Sequence, residues 1–491
     1  MDKNNISLNA KMCFWVFAAL SPLLTILFSF IFLPWSWGLM DDLQLLGLHG
    51  GLLGKIWECF DKYYQFGEFK PVFAVHSAVF YTVFQKSPKL FYIFKFFEII
   101  LTLFIWAVAA CRITRNFWPM VLLPVITLSF HYFYDSFFFL STHEILGLFF
   151  LGIALLFFIA GLEPFLDDSP RKPVARNGHP ARNYICGLMF LFLSLWSKET
   201  FVSCGLAAGL SAVILFFVRK EKDGKALLMG GVALVVLMFT YGFFLKFFIQ
   251  SSYTQRYSFF NLHNIYSCFI VWIKKDLLNH APWIAGAGII IWLSLRGRQW
   301  RAFWPRYSFR ERWGLVLGGL FYGGFLAVLL PWSTSSYYAG PLGLFFAFFL
   351  SILLAAHMAK IEFKAHVIFA LGALFFNQFI CQYAISREAI YQYDTQNLIA
   401  WIKGNNQLKE ACALKRVYSN AIEPAGVIPG HITRMGGGQW KEFQWQTKPG
   451  NIKEGKAFYI YSPRFNSIDL KALEHWSLVF NSKFWSVYSR E

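Results

Sequence analysis

Apolar runs about as long as a bilayer is thick recur along most of the chain, and no other feature limits its possible folds so sharply. A hydrocarbon core of roughly 30 Å takes about 20 helical residues to cross. Runs of this kind centre on Met12–Leu33, Leu90–Cys111, Phe117–His131, Ile145–Leu162, Tyr184–Trp196, Phe201–Val218, Ala226–Ile249, Trp283–Leu295, Trp313–Leu330, Pro341–His357 and Val367–Gln382, about eleven in all. Those at 184–196 and 283–295 are the shortest. Composition agrees: 57% of the 491 residues are hydrophobic and 15% charged, where soluble domains carry roughly 25% charged residues. A soluble enzyme, a disordered chain and a coiled coil are excluded, and 8 Cys without paired spacing exclude a disulfide-framed secreted domain. No small-residue cleavage site follows the first run, which therefore reads as a retained anchor.

Alternating these spans across a membrane sorts the loops into two families. One is dense in Lys and Arg, as in Arg219-Lys220-Glu221-Lys222 and Arg296-Gly297-Arg298 through Arg310-Glu311-Arg312; the other is sparse. The positive-inside bias places the dense family and the N-terminus in the cytoplasm. The net charge of +18 thus orients the protein, and no nucleic-acid partner is expected. The same cytoplasmic clusters, with Lys274 and Lys275, meet anionic lipids. An odd number of spans leaves the segment after Tyr383 outside. Its mixed sequence predicts a helix over 391–414, short strands near 416–420, 457–462, 477–481 and 484–489, and Gly- and Pro-marked loops between them. The expected organisation is a membrane domain over residues 1–382, with interfacial helices in an outer loop at 34–90, and a small α/β domain over 383–491.

Polar residues that this topology gathers outside the membrane are the candidates for chemistry. Asp41-Asp42 follows the first span, where two adjacent carboxylates raise one another's pKa and can build a general base or a cation site. Segments 43–64 and 72–84 read as aromatic-rich amphipathic helices lying in the interface. Between them Phe69-Lys70-Pro71 puts an extended lysine before a helix start, suited to a phosphate. His143-Glu144 opens one span, and Ser197-Lys198-Glu199-Thr200 fills a turn with almost no loop. Ionisable groups at span ends cost about 2.5–3.5 kcal/mol each when placed in the membrane, so they are kept for pairing or for a site. Arg256, His263, Tyr337 and Tyr338 face the same side. The sequence shows no Walker loop, dinucleotide fingerprint, CxxC pair or zincin motif. A soluble nucleotide cofactor has no visible site, which leaves an activated substrate carried by the membrane itself.

In their order these pieces resemble the GT-C superfamily of membrane glycosyltransferases, among them the relatives of protein O-mannosyltransferases and of the lipid A aminoarabinose transferase. The matching features are Asp41-Asp42, Phe69-Lys70-Pro71, His143-Glu144 and Leu195-Trp196-Ser197-Lys198-Glu199-Thr200, within residues 1–260. The family commonly carries Asp-Glu where this chain has Asp-Asp. The resemblance implies an all-α polytopic fold and inverting transfer of a hexosyl or pentosyl group from a polyprenyl-phosphate carrier to a glycan, lipid or protein hydroxyl. In that reading Asp41 is the general base and Asp42 its alternate or partner. Lys70, Lys198 and Arg256 bind the donor phosphate, and His143, Glu144, Glu199, Tyr337 and Tyr338 bind substrate. No cofactor and no metal site is assigned, although some relatives hold a divalent cation near the acidic pair, for which Asp41, Asp42 and His143 are the ligands on offer. A transporter or flippase of lipid-linked glycans, and a membrane scaffold without catalysis, are the competing classes. The expected location is a bacterial inner membrane.

Overall fold

The computed structural model describes residues 3–33, 35, 48, 50–65, 68–84, 87–138, 143–166, 180–219, 225–248, 262–273, 278–295, 307–329, 340–420, 425, 428–429, 432, 440–441, 443–445, 456–462 and 470–490. Helix α1 (Lys3–Phe32) is followed by α2 (Leu52–Gln65) and α3 (Pro71–Phe84) of the first loop, then by α4 (Pro88–Thr114). After α5 (Pro119–Thr127) and α6 (His131–Phe138) come α7 (Glu144–Leu166), α8 (Pro180–Ser197), α9 (Val202–Arg219) and α10 (Lys225–Phe248). Next are α11 (Leu262–Trp272), α12 (Leu278–Leu295), α13 (Phe309–Leu329), α14 (Gly340–Met358) and α15 (Phe363–Gly404). Among the described residues eight helices are long and apolar enough to cross a membrane: α1, α4, α7, α9, α10, α13, α14 and α15. The chain is a multi-pass, all-α membrane protein with a small sheet near its C-terminus. Expected runs 184–196 and 283–295 are the helices α8 and α12, outside those eight.

The run expected at 117–131 is not one helix. Pro124 lies in α5, which ends at Thr127, and Leu128 to Phe130 form a turn before α6. The two pieces still traverse the bundle. Trp118 stacks on His366 near the start of α15, with centroids 5.0 Å apart. At the far end of α6 Phe138 stacks on Trp35 and accepts a hydrogen bond from Tyr92, which Gln392 of α15 also contacts. The 26 positions from His366 to Gln392 cover about 39 Å at 1.5 Å per residue. A turn at membrane depth persists only where protein satisfies its backbone. Here the Tyr134 hydroxyl donates to Leu128 O (2.9 Å), Asn377 Nδ2 donates to Val125 O (2.9 Å), and Trp283 Nε1 donates to the Ser129 hydroxyl.

In the first loop, α2 is amphipathic, exposing Leu53 and Trp57 and burying Cys59 and Tyr63. The second helix is less amphipathic than expected: α3 is apolar on most sides, burying Phe73, Ala74, Ser77, Ala78 and Tyr81 while exposing Val75 and Val83.

The boundary expected at 382/383 falls inside α15, which runs unbroken for 42 residues. Arg387 on this helix pairs with Asp135 of α6. The helix expected over 391–414 is therefore the end of α15 plus α16 (Asn406–Ala413), separated at Asn405, whose side chain caps α16 by accepting from Leu408 N at 2.9 Å. Beyond it lie β1 (Val417–Ser419), β2 (Gln444–Trp445), β3 (Ala457–Tyr461), β4 (Ser477–Asn481) and β5 (Ser486–Arg490), in the order β2-β1-β3-β5-β4. Strand β1 runs parallel to β2 and β3, whereas β5 is antiparallel to β3 and β4. The β4–β5 hairpin is tied to α15: Phe484 N donates to Asp394 Oδ2 (3.1 Å) and Trp485 Nε1 to Thr395 Oγ1 (3.0 Å).

Candidate active site

Three chain segments bring ionisable side chains together at the end of the bundle where α6 finishes and α7 begins. The first is the connection from α2 to α3. Residues 68–70 are extended, and Pro71 starts α3, with Lys70 O accepting the first helical bond from Ala74 N at 3.0 Å. In an extended segment residues two apart point the same way, so Glu68 and Lys70 meet, Oε2 to Nζ at 2.5 Å. Lys70 is fully buried, and its ammonium sits 5.1 Å from the Tyr63 ring centroid, within cation–π range.

The second and third segments are the start of α7 and the turn from α8 to α9. Lys198 is extended between α8 and a single 3₁₀ turn, Glu199–Phe201. Its Nζ lies 2.6 Å from His143 Nε2 and 3.3 Å from Glu144 Oε1. Gly147, one turn into α7, makes this approach possible. A Cβ there would fall 2.2 Å from the Phe201 ring, and Gly147 O accepts from the Ser194 hydroxyl at 2.8 Å. Phe73 of α3 closes the group with its ring 5.0 Å from that of His143.

Charges in this group support one another. Burial pulls the Lys198 ammonium toward a lower pKa, but Glu144, Glu199 and Glu68 outweigh it and hold the pKa above the usual lysine value. Burial pushes the Glu68 carboxyl up, and Lys70 and Lys198 more than reverse that, leaving it below the usual carboxylate range. The buried Glu144 Oε2, Glu199 Oε2, Thr200 Oγ1 and Tyr241 hydroxyl have no hydrogen-bond partner among the described residues. Leaving such atoms unpaired costs about 1–3 kcal/mol each, and carboxylate oxygens in this state are acceptors for hydroxyl groups. A divalent cation would have to share His143 with the Lys198 ammonium, and like charges at that distance repel. The described part of the cluster therefore does not fit a metal, and among the described residues no group of three or more His, Cys, Asp or Glu is placed to hold one.

Of the candidates from sequence, Lys70, His143, Glu144, Lys198 and Glu199 thus come into one cluster. Asp41, Asp42, Arg256, Tyr337 and Tyr338 lie outside the described residues. Glu68 and Tyr63 were not foreseen. The signal for Glu68 was present, since Pro71 forces Lys70 into extension and aligns its second neighbour with it; no local pattern marked Tyr63.

Fold and site define a class: a polytopic helical membrane protein with two buried lysines among carboxylates at one end of its bundle. No protein-family model matches the chain, and no curated protein matches it. Two solved structures overlap it along nearly its whole length. ArnT from Cupriavidus metallidurans bound to undecaprenyl phosphate is 11% identical, with a TM-score of 0.47, covering 97% of this chain and 98% of that one. The same organism's ArnT in the apo state is 12% identical, with a TM-score of 0.49 and 97% of each chain covered. At identities and scores this low, what the site can do follows from this chain's own residues.

Proposed function

We propose that the chain is an inverting glycosyltransferase of the GT-C kind, moving a sugar from a polyprenyl-phosphate carrier to a hydroxyl acceptor at the outer face of a bacterial inner membrane. One observation carries this reading: Lys70 and Lys198, 128 positions apart in sequence, are buried in a single cluster with Glu68, Glu144 and Glu199 at one end of the bundle. The acceptor oxygen attacks the anomeric carbon while the bond from that carbon to the phosphate oxygen breaks and its electron pair leaves with polyprenyl phosphate. Asp41 takes the acceptor's proton, with Asp42 beside it. The charge appearing on the phosphate is met by Lys70 and Lys198, with Arg256 as a third cation, in a site where water is largely excluded. Glu68 and Glu144 hold the two ammoniums, and the unpartnered oxygens of Glu144 and Glu199 accept from sugar hydroxyls. In this reading the basic loops face the cytoplasm with the N-terminus, and the sheet that follows α15 and α16 lies outside.

The test is turnover by the purified full chain, supplied with a labelled undecaprenyl-phosphate sugar and with acceptor from cell envelopes. Release of free undecaprenyl phosphate with transfer of label, reduced about 10²- to 10³-fold in Lys70→Ala, supports the reading. Movement of the intact carrier across vesicles without release replaces it with a flippase.

A further inference from the structure

A cavity of about 510 Å³ opens at the opposite end of the bundle, between α4, α7 and α13. Arg112, Arg115 and Arg310 line it, together with Glu163, Cys111 and Phe117. We propose that it binds the phosphate of an anionic ligand, with the phosphodiester of an acidic phospholipid as the favoured source. Three guanidiniums against one carboxylate leave a formal charge of +2 around the space. Arginine presents a planar fork of donors that matches phosphate oxygens two at a time.

Helix orientation by basic residues explains part of this cluster but not its geometry. Cations that only orient a helix keep their head groups in water, as Arg112 and Arg115 do at the rim. Arg310, the second residue of α13, is only 5% exposed, and its Nη1 lies 3.5 Å from Glu163 Oε1. Burying a guanidinium costs several kcal/mol unless the site repays it. Arg115 caps α4 with φ 52°, a left-handed conformation in which glycine is the ordinary residue and a side chain costs about 1–2 kcal/mol. A buried ion pair and a left-handed cap thus converge on one mouth, and both keep a guanidinium there. The other walls are apolar, Val108, Met120 and Ile159 among them. A charged mouth over apolar walls suits a head group that carries acyl chains, and basic pockets between spans on the cytoplasmic side are where anionic lipids bind.

The experiment uses the full chain in phosphate-free detergent, with dioleoyl phosphatidylglycerol or dioleoyl phosphatidylcholine added and retained lipid read by native mass spectrometry. Arg112→Gln/Arg115→Gln alters two exposed side chains and leaves the buried pair alone. Lys360→Gln/Lys364→Gln removes the same charge from exposed positions at the same end of the bundle. The expected result is one phosphatidylglycerol held by wild type and by the lysine variant, and weakened roughly 30-fold in the arginine variant, at about one fivefold step per guanidinium. Inorganic phosphate at millimolar concentration, tested as a competitor, separates the sources. Displacement of a retained phosphatidylglycerol supports a phosphate site filled by lipid. Phosphate binding that needs Arg112 and Arg115, with no preference between the two lipids, keeps the site and assigns it a soluble phosphate. Equal lipid retention in all three proteins with no effect of phosphate overturns the proposal.

Discussion

Lys198 reaches His143 with its Nζ 2.6 Å from Nε2, although 55 positions separate them, and both are more than nine-tenths buried. The contact joins the α8–α9 turn to the start of α7, and Glu144 beside His143 completes it at 3.3 Å. Removing one member of a buried ion pair leaves the other charge uncompensated and costs about 3–5 kcal/mol, whereas removing both is far milder. Lys198→Met is therefore expected to lower thermal stability by that order, and Lys198→Met/Glu144→Gln to regain more than half of it without regaining transfer. Thermal unfolding in detergent measures the first effect and label transfer the second. A double variant no more stable than the single one would remove the pair as the cause.

The two halves of the proposed chemistry separate kinetically. A general base contributes about 10²- to 10⁴-fold, so Asp41→Asn is expected to lower kcat by that range while donor binding changes little. Lys70→Ala removes a charge that meets the phosphate in the bound donor as well as in the transition state, so KM for the donor rises along with the loss in kcat. Steady-state rates over a donor titration distinguish the two patterns, and an Asp41→Asn protein with ordinary kcat would exclude it as the base.

The directions of the pKa shifts fix a pH window for the cluster. Glu68 is held below its usual 4.5, so its contribution to stability is present above about pH 4.5 and disappears as pH falls through the lower, folded value. Lys198 is held above its usual 10.5, so its contribution is present below about pH 10.5 and disappears as pH rises through the folded value. Unfolding temperature measured against pH should show both limbs. Glu68→Gln should flatten the acid limb most and Lys198→Met the alkaline limb most, each with a smaller effect on the other limb because the two charges support one another.

How far these features could be read from sequence depends on the range of the interaction that makes them. Eight of the expected spans coincide with long apolar helices because hydropathy over about 20 residues is a local quantity. Lys70 before Pro71 is equally local and stands where its neighbour puts it, whereas the stop at Asn405 inside the helix expected over 391–414 was not read. The break at Leu128–Phe130 was hidden because Tyr134 and Asn377 supply its missing backbone hydrogen bonds, the second from a distant helix. Continuity of α15 through 382/383 was hidden for a related reason. Polar residues such as Arg387 and Glu388 resemble the end of a span until Asp135 is brought beside them. In the cluster itself, residue types at span ends pointed to Lys198 and His143, but only packing through Gly147 shows that they touch.

That break makes its own prediction. Tyr134→Phe keeps the ring and removes the donor to Leu128 O together with the hydroxyl's contact to the Cys381 thiol, and Asn377→Leu removes the donor to Val125 O. Each leaves a buried carbonyl without its partner at membrane depth, at a cost of about 1–3 kcal/mol. Reversible unfolding in mixed micelles gives the loss directly. Because the two carbonyls sit on the same broken segment, the double variant is expected to depart from additivity, and loss-free single variants would mean that water or lipid replaces the donors.

Helices α9 and α10 cross through glycines, which permits a test with an internal control one residue away. A Cβ on Gly231 would lie 2.9 Å from the backbone oxygen of Gly209, and a Cβ on Gly209 would lie 3.0 Å from that of Gly231. Backbone cannot rotate aside as a side chain does, so the helices themselves must separate. Small residues at such crossings let two spans approach where lipid supplies no hydrophobic drive between them. Gly231→Ala is therefore expected to destabilise by about 1–3 kcal/mol, the usual cost of overpacking. At Gly230 a Cβ meets nothing within 4 Å, and there alanine gains about 0.5–1 kcal/mol from the lower entropy it loses in a helix. Opposite signs for adjacent Gly→Ala substitutions in thermal unfolding identify the crossing, and a shared sign would place the contact between α9 and α10 elsewhere.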